Sequence, residues 1–389
     1  MAAVDAGRGP ETAWRDPKKY LWLLGLFVPS FPFLSFGLAE ATGLGVFWWS
    51  GLILLFVLFP VLDQFIGKDS ANPPDSVLAW LEAQKYYRWC TYLFLPLQYA
   101  GLLLGCAVWT SAAYGVADKI GFALTIGVVG GLGINTAHEL GHKKDKLERW
   151  LSKIALAQTA YGHFFIEHNR GHHVRVATPE DPASSRLGET FWAFLPRSVW
   201  GSFRSGWGLE KRRLGRTGRG PWTPRNDVLN AWAMTFALYA VLVVGFGPGI
   251  LPYLLVQAVF GFSLLEVVNY LEHYGLLRQR RDNGRYERCA PRHSWNSNNI
   301  ASNVLLYHLQ RHSDHHANPT RRYQALRHFD EAPELPSGYA TMIVLAYFPP
   351  LWRRVMDRRV LAHYDGDVTR ANIQPGRRAK LLAKYGAAA

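Results

Sequence analysis

Six long apolar segments limit what this 389-residue chain can fold into more than any other feature of the sequence. A helix needs about 20 apolar residues to cross the hydrocarbon core of a bilayer. Within hydrocarbon every backbone polar group must be paired internally, and a helix achieves this within its own segment. We therefore expect an all-α integral membrane protein with six transmembrane helices, at residues 20–39, 44–66, 89–112, 120–137, 228–246 and 250–270.

Prolines in the first and third of these segments predict kinks. Pro29 and Pro32 lie in the first segment and Pro96 lies in the third. A proline inside a helix removes one backbone hydrogen bond and bends the axis, so kinks are expected at both places. The links within successive pairs of segments are short, which predicts three helical hairpins.

Positive charge is confined to one side of this predicted topology. Of the 43 lysines and arginines, Lys119 alone is placed on the opposite side. Because lysine and arginine stay in the cytoplasm, we expect both termini to be cytoplasmic, in a multi-pass protein of the cell inner membrane. The net charge of +14 then belongs to one face, where it can contact anionic headgroups of the lipid bilayer. No nucleic-acid-binding motif accompanies this charge, so we expect no nucleic acid partner.

The predicted topology divides the chain into five parts. Residues 1–19 form a cytoplasmic tail, and residues 20–142 form four transmembrane helices that end in a first histidine motif. Residues 143–227 form a cytoplasmic segment with a second histidine motif. Residues 228–274 add two transmembrane helices that end in a motif around His273. Residues 275–389 form the last cytoplasmic segment, with a third histidine motif and a basic tail, so the cytoplasmic parts together form a histidine-rich cap.

Three cytoplasmic stretches have a recognisable pattern. Residues 149–165 have apolar and polar side chains in the pattern of an amphipathic helix that lies under the membrane. Residues 198–225 are rich in glycine and arginine and are expected to form an exposed loop. Residues 338–352 are apolar but too short and too rich in proline to span a bilayer, which predicts an interfacial or buried segment.

Nine histidines have the spacing of metal ligands. They are His138, His142, His168, His172, His173, His273, His312, His315 and His316. The pairs 138/142, 168/172 and 312/316 are each four residues apart, so on a helix each pair directs two imidazoles at one point. Nitrogen ligands suit iron, copper, nickel or zinc rather than magnesium or calcium. Because even a closed zinc site takes only four ligands, nine candidates predict two metals rather than a solvated basic loop. The three cysteines lie far apart and form no Cys-x-x-Cys pair, so they predict neither a disulfide nor a zinc or iron–sulfur centre.

Other polar side chains are placed to support the ligands. Glu266 lies inside the sixth segment, where a carboxylate is costly and usually functional, and it is seven residues before His273 on the same helix face. We expect it to hydrogen-bond a ligand imidazole. His308 is four residues before His312 and is either a ligand or a supporting residue. Further supporting candidates are Asn269, Asp314 and Glu139, of which the last two can instead be polar residues that face water.

Four strings in the sequence resemble those of a known family. They are HELGHK at 138–143, EHNRGHHVRVATPEDP at 167–182, NYLEHYG at 269–275 and LQRHSDHH at 309–316. These strings closely resemble the histidine boxes of integral-membrane alkane 1-monooxygenases. Membrane desaturases and fatty-acid hydroxylases share the pattern of three boxes, but the string around His273 is typical of the alkane hydroxylases. The resemblance covers essentially residues 20–352.

The resemblance implies a reaction, a metal cofactor and an electron donor. An alkane, O₂ and two electrons would give a primary alcohol and water, with the nine histidines holding two non-haem Fe ions. The alkane would arrive from the membrane, where it is already dissolved. The chain has no nucleotide-binding fingerprint, so electrons would come from rubredoxin, a small acidic iron protein that would dock on the basic face. The alternatives are a related membrane di-iron desaturase or fatty-acid hydroxylase and, in another class, a membrane metal transporter with ligands near the bilayer midplane.

Glycines in the fourth segment offer a path for the substrate. Counting back from His138 in helical steps gives Ile134, Gly131 and Gly127, so this face of the helix is nearly bare. A straight alkane can lie there, with Leu265 and Phe262 of the sixth segment as the opposite wall. The same glycines can equally allow close packing of another helix.

Overall fold

The computed structural model describes residues 14–386, and residues 1–13 of the predicted N-terminal tail lie outside this range. Residues 14–386 are organised as helices, and their β contacts are limited to isolated bridges. Within this described range, six helices are long and apolar enough to cross a membrane. They are Leu21–Thr42, Gly45–Phe65, Lys85–Thr110, Val116–Gly141, Asp227–Phe246 and Pro248–His273, named here the first to sixth spans. The predictions of an all-α chain and of six apolar helices are confirmed.

Three of the spans are irregular. The first begins as a 3₁₀ turn and becomes the α-helix Phe27–Thr42, which contains Pro32. The third is interrupted at Leu93, three residues before Pro96, where a proline ring disfavours a regular helix. The second span has a π-helical turn at Leu54–Leu58, two residues before Pro60, that the sequence analysis did not predict.

The fourth span is the centre of the membrane domain. In its most apolar stretch 89% of the residues are buried, against 17% in the fifth span. Its glycines pack closely against the sixth span, because a Cβ atom added at Gly131 would lie 3.0 Å from the carbonyl oxygen of Gly261. Both helices continue past the apolar stretch, the fourth to Gly141 and the sixth to His273, and each therefore carries histidines at its end.

The remaining helices build a cap over one end of the six spans. They are Leu78–Ala83, Lys146–Ala157, Phe164–Glu167, the π-helical turn His168–His172, His173–Arg175, Phe191–Gly215, Ile300–Leu305, His312–Ala317, Tyr339–Ala346, Pro349–His363 and Arg378–Tyr385. Short 3₁₀ turns and loops join them. The cap and the ends of the fourth and sixth spans enclose the histidines.

The prediction of an exposed loop at 198–225 was wrong for most of its length. A 25-residue helix, Phe191–Gly215, occupies the first part, and the side chain of Thr190 caps it by accepting a hydrogen bond from the backbone of Ala193. The glycine and arginine content of this stretch gave no indication of its buried positions. They are four residues apart, at Ser198, Ser202, Gly206, Glu210 and Leu214. Small and charged residues occupy much of this buried face, so average hydrophobicity gave no signal.

The structure of the other two patterned stretches agrees better with the prediction. The amphipathic helix is shorter than predicted and spans Lys146–Ala157, with Asp145 as its N-cap. Its Leu147 and Trp150 side chains are exposed while Glu148 is buried. Residues 338–352 begin with the helix Tyr339–Ala346, whose Tyr339 side chain is fully buried, so the buried alternative is the correct one there.

Candidate metal centre

The nine histidines predicted from spacing lie together in the structure, in two groups. Within each group the ligand atoms all lie within 4.8 Å of one another. The first group has five members and the second has four: His138, His142, His168, His173 and His315 in the first, and His172, His273, His312 and His316 in the second. The groups adjoin, since the rings of His173 and His316 are 4.4 Å apart.

The second histidine motif is divided between the groups because its helix is not a regular α-helix. Residues His168–His172 form a π-helical turn, which is wider than an α-turn and pairs residues five apart. The Nε2 atom of His168 therefore lies 3.1 Å from that of His173, in the first group. His172 is directed into the second group instead. The prediction that His168 and His172 converge on one point was wrong for this reason.

The third histidine motif also serves both groups. His312 and His316 are four residues apart on the helix His312–Ala317, and their Nε2 atoms lie 2.8 Å apart in the second group. His315 faces the other way, with its Nε2 atom 2.8 Å from that of His138. One helical turn thus supplies ligand atoms to both groups.

The distances between nitrogen atoms fit a bound transition metal. Two imidazole nitrogens that bind one ion at about 2.1 Å and at right angles lie about 3.0 Å apart. In the second group, the Nε2 atom of His312 lies 3.3 Å from that of His273, and the Nε2 atoms of His172 and His316 are also 3.3 Å apart. Two facing Nε2 atoms in such a ring pair can share at most one proton, so a cation between them satisfies atoms that otherwise repel.

Burial keeps the imidazoles in the form that binds metal. It lowers the pKa well below the ordinary histidine value at His142, His168, His173, His312, His315 and His316. A buried imidazole without a charged partner is neutral, and a neutral imidazole offers a free nitrogen lone pair. These histidines are therefore available to a metal without first losing a proton to solvent.

Two carboxylates that the sequence analysis did not single out touch the candidate ligands. Asp181 accepts a 2.9 Å hydrogen bond from Nδ1 of His172, which fixes the ring with Nε2 directed into the second group. Burial alone lowers a histidine pKa, but the Asp181 carboxylate outweighs this and raises the pKa of His172. The carboxylate of Glu272 lies 3.3 Å from Nε2 of His312, beside the ligand atoms of the same group.

Spacing alone could not have identified these two carboxylates. Asp181 is nine residues after His172 and reaches it only because the chain turns back after the helix. Glu272 directly precedes His273, and neighbouring residues on a helix do not share a face. Both lie inside strings that resemble the family, and that resemblance was the only available signal.

The supporting residues predicted from sequence have other partners. Glu266 accepts a 2.6 Å hydrogen bond from the hydroxyl of Tyr161 rather than from an imidazole, and Asn269 is buried near it. Asp314 accepts hydrogen bonds from Arg321 and Asn318, because on its short helix it faces away from the three histidines.

Glu139 and His308 also face away from the two groups. Glu139 pairs with Lys143 at 3.0 Å. His308 contacts Lys18 through Nε2 at 3.1 Å and the carbonyl oxygen of Tyr323 through Nδ1 at 2.9 Å, so both of its nitrogens are engaged away from the site. The histidines at 163, 293, 328 and 363 lie outside both groups.

A narrow apolar cavity lies on the membrane side of the centre. It reaches Asn135, three residues before His138, and Val268, five residues before His273. Fourteen residues line it: Leu55, Phe59, Gly131, Leu132, Asn135, Leu264, Leu265, Val268, Ser302, Leu305, Leu306, Leu309, Ala340 and Ile343. None of these lining residues is charged, so the wall of this small cavity is suited to contact with hydrocarbon.

The predicted channel residues divide between this cavity and helix packing. Gly131 and Leu265 line the cavity. Gly127 does not, because a Cβ atom there would meet Phe260 at 3.0 Å, in the tight contact between the fourth and sixth spans. Ile134 is fully buried outside the lining, and the ring of Phe262 stacks on Tyr161 at 5.1 Å. The glycine face thus serves mainly the close packing that the sequence analysis kept as its alternative.

The centre approaches solvent at one edge. His142 and His173 of the first group are half-buried, whereas the other seven histidines are buried. Val174, next to His173, is 65% exposed, and its carbonyl oxygen accepts a 3.0 Å hydrogen bond from Arg278. This edge, formed by His142, His173, Val174 and Arg278, combines an exposed apolar side chain with a cation beside the metal ligands.

Comparison with known proteins defines the class of this fold and site. The sequence model of the fatty acid desaturase family matches residues 119–346, from the start of the fourth span to the helix Tyr339–Ala346. This region includes all nine histidines of the two groups. The chain is therefore a member of the membrane desaturase and hydroxylase superfamily, whose boxes the sequence resembles.

Curated relatives define the family more closely. The chain is 49% identical over 377 residues to an alkane 1-monooxygenase of Acinetobacter baylyi, covering 95% of this chain and 92% of the relative. It is 48% identical over 372 residues to alkane 1-monooxygenases of Alcanivorax borkumensis and Ectopseudomonas oleovorans, with the same coverage. The chain belongs to the alkane 1-monooxygenase family of oxidoreductases.

Proposed function

We propose that this protein hydroxylates the terminal carbon of alkanes, using O₂ and two electrons and releasing a primary alcohol and water. The observation that carries the proposal is the pair of histidine groups together with an uncharged cavity whose lining includes Asn135, three residues before His138, and Val268, five residues before His273. Family membership supports the same reaction. The proposal also includes two irons, rubredoxin and a cytoplasmic cap, each with its own support.

We assign one iron to each histidine group. The nitrogen-only donors, the spacing of the Nε2 atoms and the neutral imidazoles all suit a transition metal. Bound iron would supply the redox chemistry that attack of O₂ on an unactivated C–H bond requires. Asp181 holds the His172 ring in place, and the carboxyl group of Glu272 lies beside His312.

The cavity positions the alkane and excludes water. Its apolar walls would hold the chain by burial of CH₂ groups, each contributing about 0.8 kcal/mol. Gly131 lies seven residues before His138, so the stretch of the fourth span from cavity wall to ligand is about 10 Å long at 1.5 Å per residue. Asn135 and Ser302, the only polar lining residues, lie in this otherwise apolar space.

We place the electron donor at the half-buried edge of the first group. Rubredoxin is acidic, and the basic face predicted from the charge distribution would attract it. Val174 would form the apolar centre of the contact and Arg278 part of its charged rim. This arrangement requires the cap to face the cytoplasm, which the distribution of lysine and arginine supports.

The alternative reactions differ in what the cavity must bind. A fatty-acid hydroxylase or desaturase acting on a free acid needs a cation for the carboxylate, whereas the lining of this cavity has none. An alkane needs no such partner. The product distinguishes them further, because hydroxylation yields a 1-alcohol and desaturation yields an alkene.

Metal analysis together with turnover tests the proposal. Purified full-length protein, supplied with rubredoxin and its reductase, is expected to contain two irons per chain and to convert an alkane to the 1-alcohol. His273→Ala removes one of the four ligands of the second group and should lower both iron content and activity. His363→Ala, which changes a histidine outside both groups, is the matched control. A single zinc at full occupancy, or an alkene product, contradicts the proposal.

A further inference from the structure

A cleft in the cap concentrates positive charge away from the metal centre. It lies between the helix Pro349–His363 and the C-terminal helix Arg378–Tyr385. Six cationic side chains line it: Arg353, Arg354, Arg358, Arg377, Lys380 and Lys384. The single acidic residue of the lining, Asp357, is buried and accepts hydrogen bonds from the hydroxyls of Tyr274 and Tyr385. Asp357 is thus engaged by the protein, and the cleft is strongly basic.

Most of these cations have no acidic partner. Within residues 14–386, no carboxylate lies within 4.0 Å of the charged groups of Arg354, Arg358 or Lys380, all of which are exposed. Arg353 donates a 3.1 Å hydrogen bond to the carbonyl oxygen of Gly188, a neutral acceptor. Like charges collected around one concave surface repel one another unless an anion lies among them. The cleft is therefore shaped and charged for an anionic group.

An apolar groove adjoins the cleft. Its floor is the outer face of the sixth span, with Leu255, Val259 and Phe260, and its upper end is formed by Trp192 and Tyr347. Two short stretches of chain run from one concavity to the other. Gly188 of the cleft is three residues before Phe191 of the groove, and Pro350 of the cleft is three residues after Tyr347 of the groove. The Trp192 indole donates a 3.2 Å hydrogen bond to the carbonyl oxygen of Tyr347, which joins the segments at this point.

The junction of groove and cleft has the composition of a membrane boundary. Trp192, Phe348 and Leu351 are each more than half exposed. Arg354 lies one turn further along the helix from Leu351 and is also exposed. Tryptophan at the level of the headgroups, with arginine just beyond it, is typical of the membrane–water interface. The groove then runs into the hydrocarbon and the cleft lies among the headgroups.

We propose that the cleft and groove together bind one anionic phospholipid, with its phosphate in the cleft and an acyl chain in the groove. A zwitterionic lipid would bring its own cation among six others, so an anionic headgroup is favoured. The groove lies on a membrane span, which a soluble acidic protein cannot reach, so a lipid explains both parts. This inference does not depend on the proposed reaction, because no lining residue of the cleft belongs to either histidine group.

Titration of the full chain with lipid tests the proposal. Detergent-solubilised protein is titrated with phosphatidylglycerol and with phosphatidylcholine of the same acyl chains, and bound lipid is counted by native mass spectrometry. We expect one phosphatidylglycerol to bind in preference to phosphatidylcholine. Each basic residue near an anionic headgroup contributes about fivefold in affinity, so Arg354→Ala/Arg358→Ala/Lys380→Ala should weaken binding roughly hundredfold. The control Arg281→Ala/Arg285→Ala/Arg288→Ala removes the same charge from an exposed loop and should bind normally.

A second variant tests the acyl chain. Val259→Trp fills the groove at a side chain that is 42% exposed, so it should weaken phosphatidylglycerol binding while leaving the cleft intact. If Val259→Trp binds normally and inorganic phosphate competes with the lipid, the cleft is a free-anion site and the proposal is wrong. If the triple cleft variant loses affinity for rubredoxin but not for phosphatidylglycerol, the cleft is a protein-docking surface and the proposal is equally wrong.

Discussion

Replacing Asp181 by asparagine should weaken metal binding in one histidine group only. The carboxylate accepts a 2.9 Å hydrogen bond from His172 Nδ1 in a fully buried setting, and His172 belongs to the second group. An amide keeps the size of the side chain but removes the negative charge behind the ring. Changes of this kind cost about 10- to 100-fold in metal affinity, or about 1.4 to 2.7 kcal/mol.

Graded removal of iron measures this effect. Iron-loaded protein is equilibrated with increasing concentrations of a chelator, and the iron remaining per chain is determined by mass spectrometry. We expect Asp181→Asn to lose its first iron at a chelator activity about 10- to 100-fold lower than the wild type does. The second iron should leave at the wild-type value, because the five ligands of the first group are unchanged.

Two controls separate this effect from general damage to the fold. Asp314→Asn changes a buried carboxylate of the third histidine motif that contacts Arg321 instead of an imidazole. Ser184→Ala removes the other side-chain hydrogen bond to Asp181, at 2.6 Å, and leaves His172 bonded. Our reasoning is refuted if Asp181→Asn releases both irons together, or if Asp314→Asn shifts the first iron as far.

Three further predictions concern the packing of the fourth span, the length of the alkane and the electron donor. Gly131→Leu should destabilise the protein by about 1 to 3 kcal/mol through overpacking, which would lower the midpoint of thermal unfolding. Gly37→Leu is the control and should not destabilise the protein, because no atom lies within 4 Å of a Cβ position at Gly37. Ile343→Trp fills part of the cavity and should shift turnover toward shorter alkanes with iron unchanged; equal loss on short and long alkanes would contradict this. Val174→Glu should lower the donor-limited rate without changing the alkane KM, and the same rate in the wild type should fall as salt rises. Lys119→Gln, which changes the net charge by the same amount, is the control. A salt-independent rate counts against electrostatic docking.

The sequence was sufficient to predict the regular helices of this molecule and the set of candidate metal ligands. Each span carries enough apolar residues to be identified by length alone, and the structure places helices at all six. The extension of the fourth and sixth spans to His138 and His273 followed from the position of these histidines directly after the apolar segments. The set of nine histidines also followed, because residue type and spacing are local properties.

The division of the nine histidines between two groups could not be predicted from their spacing in the sequence. It depends on the π-helical turn His168–His172, which no proline or glycine rule locates, and which turns His172 away from His168. The helix Phe191–Gly215 was missed for a related reason, since its buried face is polar and satisfied by salt bridges such as that of Glu210 with Arg213. In both cases tertiary contacts override the local pattern.

The contribution of the third motif to both groups also determines the order in which the centre can be made. His315 completes the first group, and His312 and His316 complete the second. A ribosome synthesises the chain from the N-terminus, so all six spans exist before any of these three residues. Neither group is complete until then, so incorporation of the proposed irons would be a late event that follows synthesis of the membrane domain. A chain cut before residue 312 keeps every span yet has two unfinished centres.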